Sequence, residues 1–111
     1  MKQLRELVFY EHYFEDFFNK RSEKVKEKID YVLFLVTHSG QVPQKFLKHL
    51  QGIDGLYEIR VEVSSNIYRI FCCFDKGRLI ILFNGFQKKT QRTPVKQIET
   101  AKKLMNEYFK K

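Results

Sequence analysis

Leu79–Pro94 reads LIILFNGFQKKTQRTP, the last sixteen residues of a longer unit that runs from Gly55 to Pro94, and its reading decides the fold. An apolar run, Leu79 to Phe83, breaks at Asn84-Gly85 into a basic tail, rich in hydroxyl and amide groups, that holds Lys88, Lys89 and Arg92. β-branched and aromatic residues bounded by a glycine read as a buried strand. The polar residues after it then emerge where the strand leaves the sheet, the place from which a rigid scaffold presents functional side chains.

Working outward, the periodicity upstream is that of a sheet. Leu56, Glu58, Arg60 and Glu62 alternate with Tyr57, Ile59, Val61 and Val63, which gives one apolar face and one row of charges. Ser64-Ser65-Asn66 turns into a second strand, Ile67 to Phe74, and Asp75-Lys76-Gly77 turns into a third, Arg78 to Phe83. Strands joined so tightly form an antiparallel meander. Leu4 to Tyr10 adds an edge-type strand, for about four in all.

Helices flank the meander. Phe14, Phe17 and Phe18 lie at i, i+3 and i+4, with Glu15, Asp16 and Lys20 opposite. Ser22 is the expected N-cap of a second helix whose stripe is Val25, Ile29, Val32, Leu33 and Val36, and Gly40 ends it. The two form a hairpin on one face of the sheet. Pro43 to Leu50 carries Phe46, Leu47 and Leu50 at helical spacing and reads as a short helical turn. Thr93-Pro94 reads as N-cap and first helical residue of a C-terminal helix to about Phe109, with Ile98, Ala101, Leu104, Met105 and Tyr108 as its apolar residues. Packing on the sheet and lying at its edge both suit that helix.

At 111 residues, with 43% hydrophobic and 31% charged side chains, the chain is one folded domain that needs neither disulfide nor metal to hold it. No apolar run reaches the roughly 18–20 residues of a membrane span, and the N-terminus lacks a signal pattern, so a cytoplasmic protein is expected. Cys72 and Cys73 are neighbours pointing to opposite faces of a strand, which disfavours a bond between them. There is no CxxC pair and no His/Cys spacing suited to a structural metal. The formal charge of +8 points to a polyanionic partner. Most of the surplus lies in the second half: residues 54–111 hold twelve basic and six acidic side chains, against nine and seven before them.

GLYEIR at Gly55–Arg60, IYRIFCCF at Ile67–Phe74 and NGFQKKTQRTP at Asn84–Pro94, in the order strand, helical hairpin, meander and terminal helix, resemble the RelE/ParE superfamily of type II toxins, specifically its phage-derived, HigB-like branch. The resemblance extends over essentially the whole chain and implies an α+β, RelE-like fold. It also implies a ribosome-dependent mRNA endonuclease that needs no metal and no cofactor. A co-expressed antitoxin, commonly a helix-turn-helix protein, holds such an activity in check. The same fold serves ParE-like inhibitors of DNA gyrase, and a non-catalytic nucleic-acid-binding module is the third reading open to so basic a chain.

In the implied reaction the ribose 2′-OH attacks the adjacent phosphate, the 5′-oxygen leaves, and charge builds on the phosphorane between them. Fixed cations must stabilise that charge. Arg69 is the first candidate, because the resemblance places the Arg of the YRIF-like segment at the scissile phosphate and because a guanidinium suits a phosphorane better than an ammonium. Alternation puts Arg69 opposite Tyr68, Ile70 and Cys72, where it needs a task or a partner; an ion pair with Glu58 or Glu62 is the bland alternative. Arg60 lies on the charged face of its strand. Lys88, Lys89 and Arg92 are candidates to hold the RNA backbone, or to protonate the leaving oxygen, against a plain solvated loop. Tyr57 and Tyr68 are base-stacking candidates that also suit a core.

Two positions depart from the family. Glu58 stands where relatives that cut mRNA often carry Lys, and Asn84 stands where a His is common before Gly-Phe. Asn84, an RNA contact at most, exchanges no proton at neutral pH, which leaves Lys88, Lys89, Glu58 or Glu62 as general acid or base.

Overall fold

The computed structural model describes residues 2–111. Along the chain run β1 (Glu6–Phe9), α1 (Tyr13–Asn19), α2 (Glu23–His38), β2 (Leu47–His49), β3 (Tyr57–Val63), β4 (Asn66–Asp75), β5 (Leu79–Lys88) and α3 (Val95–Lys110). The strands form one mixed sheet in the order β1-β5-β4-β3-β2. β3, β4 and β5 make the expected antiparallel meander, and β1 lies parallel to the first half of β5. This is the α+β, RelE-like arrangement.

Side-chain alternation decides the layers. Tyr68, Ile70 and Cys72 of β4, with Ile59 and Val61 of β3, face α1 and α2 and meet Phe14, Phe17, Val25, Ile29, Val32 and Val36. Phe71 and Cys73 point the other way, with Ile81, Phe83 and Phe86 of β5, and meet Ala101 and Leu104 of α3. The C-terminal helix thus lies on the second face. Double coverage explains why β4 and β5 read as almost unbroken apolar runs and β3 does not. Ser22 caps α2, accepting a hydrogen bond from the Val25 N–H, as its position implies.

Both cysteines are free and buried on opposite faces. Burial raises both thiol pKa values, that of Cys73 to about 12, so both behave as small apolar residues.

The N-terminal strand is shorter than expected, Glu6–Phe9 rather than Leu4–Tyr10, and three further boundaries differ from the sequence reading. The helical turn expected over Pro43–Leu50 survives only at its start, where Pro43 O accepts from the Phe46 and Leu47 N–H groups. Leu47–His49 then pairs with Tyr57–Ile59, because the otherwise open edge of β3 demands partners, and the sheet gains a fifth strand. β5 does not stop at Phe83 but continues to Lys88 across an irregularity in its pairing with β4. Ile70 opposes Gly85 and Cys72 opposes Leu82, so two β5 residues, Phe83 and Asn84, face Phe71 alone. Helix α3 begins at Val95, with Pro94 rather than Thr93 in the cap position and no side-chain cap bond.

Candidate active site

The site grows from the β3–β4 ladder, in which Arg60 lies directly opposite Arg69 and Phe86 of β5 lies opposite Arg69 on the other side. One pairing step of the same face away lie Glu58 and Phe71; one step the other way lie Glu62, Ile67 and Lys88. These rows share the face that α3 covers, but α3 packs over Phe71, Phe83 and Phe86, so Arg60 and Lys88 stay partly open and Glu62 is exposed.

Two guanidiniums brought face to face require a counter-charge, and Glu58 supplies it. Its Oε2 accepts a hydrogen bond from Arg60 Nε at 3.0 Å and lies 3.2 Å from Arg69 Nε. The second contact is an ion pair without hydrogen-bond alignment, which leaves Arg69 Nε otherwise unpartnered. Arg69 Nη1 donates to the Tyr68 carbonyl at 3.1 Å, which orients the guanidinium plane. Glu58 and Arg69 are 7% and 8% exposed. Burial, with help from Arg60, lowers the Arg69 pKa while Glu58 opposes the fall. A guanidinium keeps its proton under such pressure, so the result is a desolvated cation with donor capacity in reserve. Chemically, such a pair of guanidiniums can donate to an anion that presents several oxygens.

The structure thus unites Arg60, Arg69, Glu58 and Lys88 on one face, and the ion pair offered as the bland account of Arg69 exists within the same cluster. Lys89, one residue past β5, lines two depressions, one with Lys88 and Ile67 and one beside α1. Arg92 lies on the exposed loop before α3, where Thr90 Oγ1 donates to its carbonyl at 2.7 Å. Tyr57 and Tyr68 fall on the opposite face as core rings, Tyr57 edge-on to Phe74 and Tyr68 edge-on to Phe17. Asn84 is buried and its amide donates to the Gln97 carbonyl and Oε1, both at 3.1 Å, which ties β5 to the first turn of α3.

Sequence reasoning missed Phe86 and Gln97. Phe86 stacks on Phe71 with ring centres 5.7 Å apart and forms an apolar wall beside Arg69. Its alternation is hidden by the irregularity at Phe83–Asn84. Gln97 carries no local signal, since its role arises only where α3 crosses β5.

Two guanidiniums that share one carboxylate on a sheet face, one of them buried, are the main concentration of fixed charge in this part of the sheet. A family model described as phage-derived protein Gp49-like (DUF891) matches residues 16–106, and the chain belongs to that family, a RelE/toxin-like one in general. A search of curated proteins found no match.

Proposed function

We propose that this protein is the toxin of a type II toxin–antitoxin system of the HigB-like branch. In this reading it is a metal-free mRNA endonuclease that works on the ribosome and stops translation. The Arg60–Arg69 pair carries the reading: two guanidiniums, one of them almost fully buried, converge on a single carboxylate. Glu58 engages both guanidiniums at Nε, so a phosphate bound there is met by their remaining terminal nitrogens.

In the reaction the 2′-oxygen forms a bond to phosphorus as the bond to the 5′-oxygen breaks, which leaves a 2′,3′-cyclic phosphate and a free 5′-hydroxyl. Arg69, the more desolvated cation, stabilises the equatorial oxygens of the phosphorane, with Arg60 beside it. Glu58 positions both guanidiniums through Oε2 and offers Oε1 to the proton of the attacking hydroxyl. Lys88, on the same face, donates the proton to the leaving oxygen. Lys89 and Arg92 hold the backbone of the strand. The partner that restrains the activity is a cognate antitoxin of the helix-turn-helix kind.

Mapping of mRNA 5′ ends on purified translating ribosomes tests the proposal. Wild type produces new ends within the A-site codon, and Arg69→Ala lowers their rate of appearance by about 10²–10³. The Lys88→Ala, Lys89→Ala double variant is compared alongside. A protein that arrests growth without producing new ends refutes the nuclease reading and directs attention to gyrase.

A further inference from the structure

β1 pairs with β5 only over Leu79–Leu82, so among the described residues no strand covers that edge of β5 from Gly85 to Lys88. Helix α1 lies along it instead. Gly85 makes this possible: a Cβ there would stand 2.6 Å from Cδ2 of Phe17, whose ring rests directly on the strand. The result is a groove of about 450 Å³ lined by Tyr13, Phe17, Lys20 and Arg21 on one side and by Phe86 and Lys89 on the other.

The charges of this groove are unbalanced. Lys20, Arg21 and Lys89 form no ion pair among the described residues. The one acid in the lining, Asp16, is already engaged by His12 at 2.8 Å. Arg21 is fixed with its guanidinium 4.8 Å from the Phe17 ring centre and 5.9 Å from that of Tyr68, while its Nε donates to the Phe17 carbonyl at 3.0 Å. That leaves its terminal nitrogens uncommitted on a flat, stacked cation. Exposed Tyr13 adds a second ring surface at the rim.

We infer that this groove is a binding site for single-stranded RNA, in which Lys20 and Lys89 take phosphates and the Arg21 and Tyr13 planes take an unpaired base. Backbone cations combined with stacking planes are what single strands require. The groove borders the candidate active site through Phe86, which lies in the groove wall and opposes Arg69 in the ladder. The Arg21 side of the groove lies on the Tyr68 face of the sheet, opposite that of Arg69, so a strand leaving the Arg60–Arg69 clamp reaches it by passing round the open edge of β5. The nature of the strand rests on the RNA-cleavage reading, and the experiment separates the two. An added peptide strand, the other occupant suited to an open sheet edge, would leave three cations unmatched unless it were acidic.

The test uses the purified full chain and a fluorescein-labelled single-stranded RNA of about 12 nucleotides, within the usual range of single-strand site sizes, carrying 4-thiouridine. Binding is read by anisotropy at low salt. Lys20→Glu with Lys89→Glu is expected to weaken binding at least about tenfold, and neutralising the same two side chains (Lys→Gln) to reduce the salt slope by about 1.4, from roughly 0.7 per phosphate contact. Arg21→Lys keeps the charge but loses the plane, for a loss of about fivefold or more. Lys102→Glu with Lys103→Glu, on α3, applies the same charge change elsewhere and is expected to change binding less than about twofold. Photo-crosslinks are expected in residues 12–21.

Equal losses in the groove and α3 variants overturn the inference, as do crosslinks confined to β3 and β4. So does an acidic peptide that protects the Gly85 and Gln87 amides from hydrogen exchange where RNA does not. If groove variants lose RNA while wild type cuts no mRNA on ribosomes, the groove assignment stands and the nuclease reading falls. If cleavage is seen and the groove variants bind and cut as wild type, the nuclease reading stands and the groove assignment falls.

Discussion

Truncating Glu58 to Ala removes the carboxylate that separates two guanidiniums at directly opposed positions of β3 and β4. Breaking a buried pair costs about 3–5 kcal/mol because the surviving charge is stranded without water. Arg69 meets that condition, being 8% exposed, whereas the Arg60 side chain is 29% exposed and can recover solvent. The expected loss is therefore at the low end, about 3 kcal/mol. For a domain of this size that corresponds to a fall of roughly 12–24 °C in Tm. Urea unfolding followed by circular dichroism measures it on wild type, Glu58→Ala, Glu58→Gln and Glu58→Ala combined with Arg69→Met.

The Gln variant keeps the volume and one acceptor, so it falls between wild type and Glu58→Ala. The double variant recovers most of the loss, since an apolar side chain replaces the stranded cation. Exposed pairs such as Glu99–Lys102 are worth under about 1 kcal/mol. A Glu58→Ala loss no larger than that, or a double variant less stable than the single one, would show that the carboxylate does not hold the clamp together.

Two further perturbations probe the supports of the site. Gly85→Ala forces the Phe17 ring off β5 and is expected to cost about 1–3 kcal/mol by overpacking; thermal melts should show Phe17→Leu restoring part of it, and an unchanged Tm for Gly85→Ala alone contradicts the close approach. Tyr108 donates to Asp75 at 2.7 Å, and that bond, with burial and the carboxylate charge behind it, raises the phenol pKa to about 12. An acid whose folded pKa exceeds its unfolded value stabilises the fold fully below about pH 10 and loses that contribution as pH rises through about 12. Urea midpoints of wild type and Tyr108→Phe should therefore differ by a constant amount below about pH 10 and converge toward about pH 12; parallel curves across that window would disprove the linkage.

Local pattern determined a large part of this molecule. Period-two alternation in Tyr57–Val63, the Phe14, Phe17 and Phe18 spacing, and the stripe from Val25 to Val36 each fix a face, because misplacing them would put several rings or branched chains in water. The same alternation put Arg69 on the face away from Tyr68, Ile70 and Cys72, which is where the structure places it. What local pattern missed are features with distant causes. Leu47–His49 has helical spacing but becomes a strand because the β3 edge needs hydrogen-bond partners. Asn84 and Gly85 look like the end of a strand, yet β5 continues past them because the extra residue is absorbed opposite Phe71.

The composition of the candidate site divides in the same way. Arg60 and Glu58 were legible on the charged face of one strand, and Arg69 on the face of the next away from Tyr68, Ile70 and Cys72, since the side-chain period of a strand is two. Which of Glu58 and Glu62 pairs with Arg69 was not legible, because that depends on the pairing register that sets Arg60 against Arg69 and brings Glu58 Oε2 within 3.2 Å. Arg21 lies far from Lys89 in the chain, and no local rule joins them; the absence of a Cβ at Gly85 lets α1 close against β5 and does so. The sequence by itself determined the elements, their buried faces and the residues available for chemistry, since those follow from short-range periodicity. Only the tertiary structure decided the strand register, the side of the sheet taken by α3 and the meeting of cations from separate elements, because these are set by contacts between residues distant along the chain.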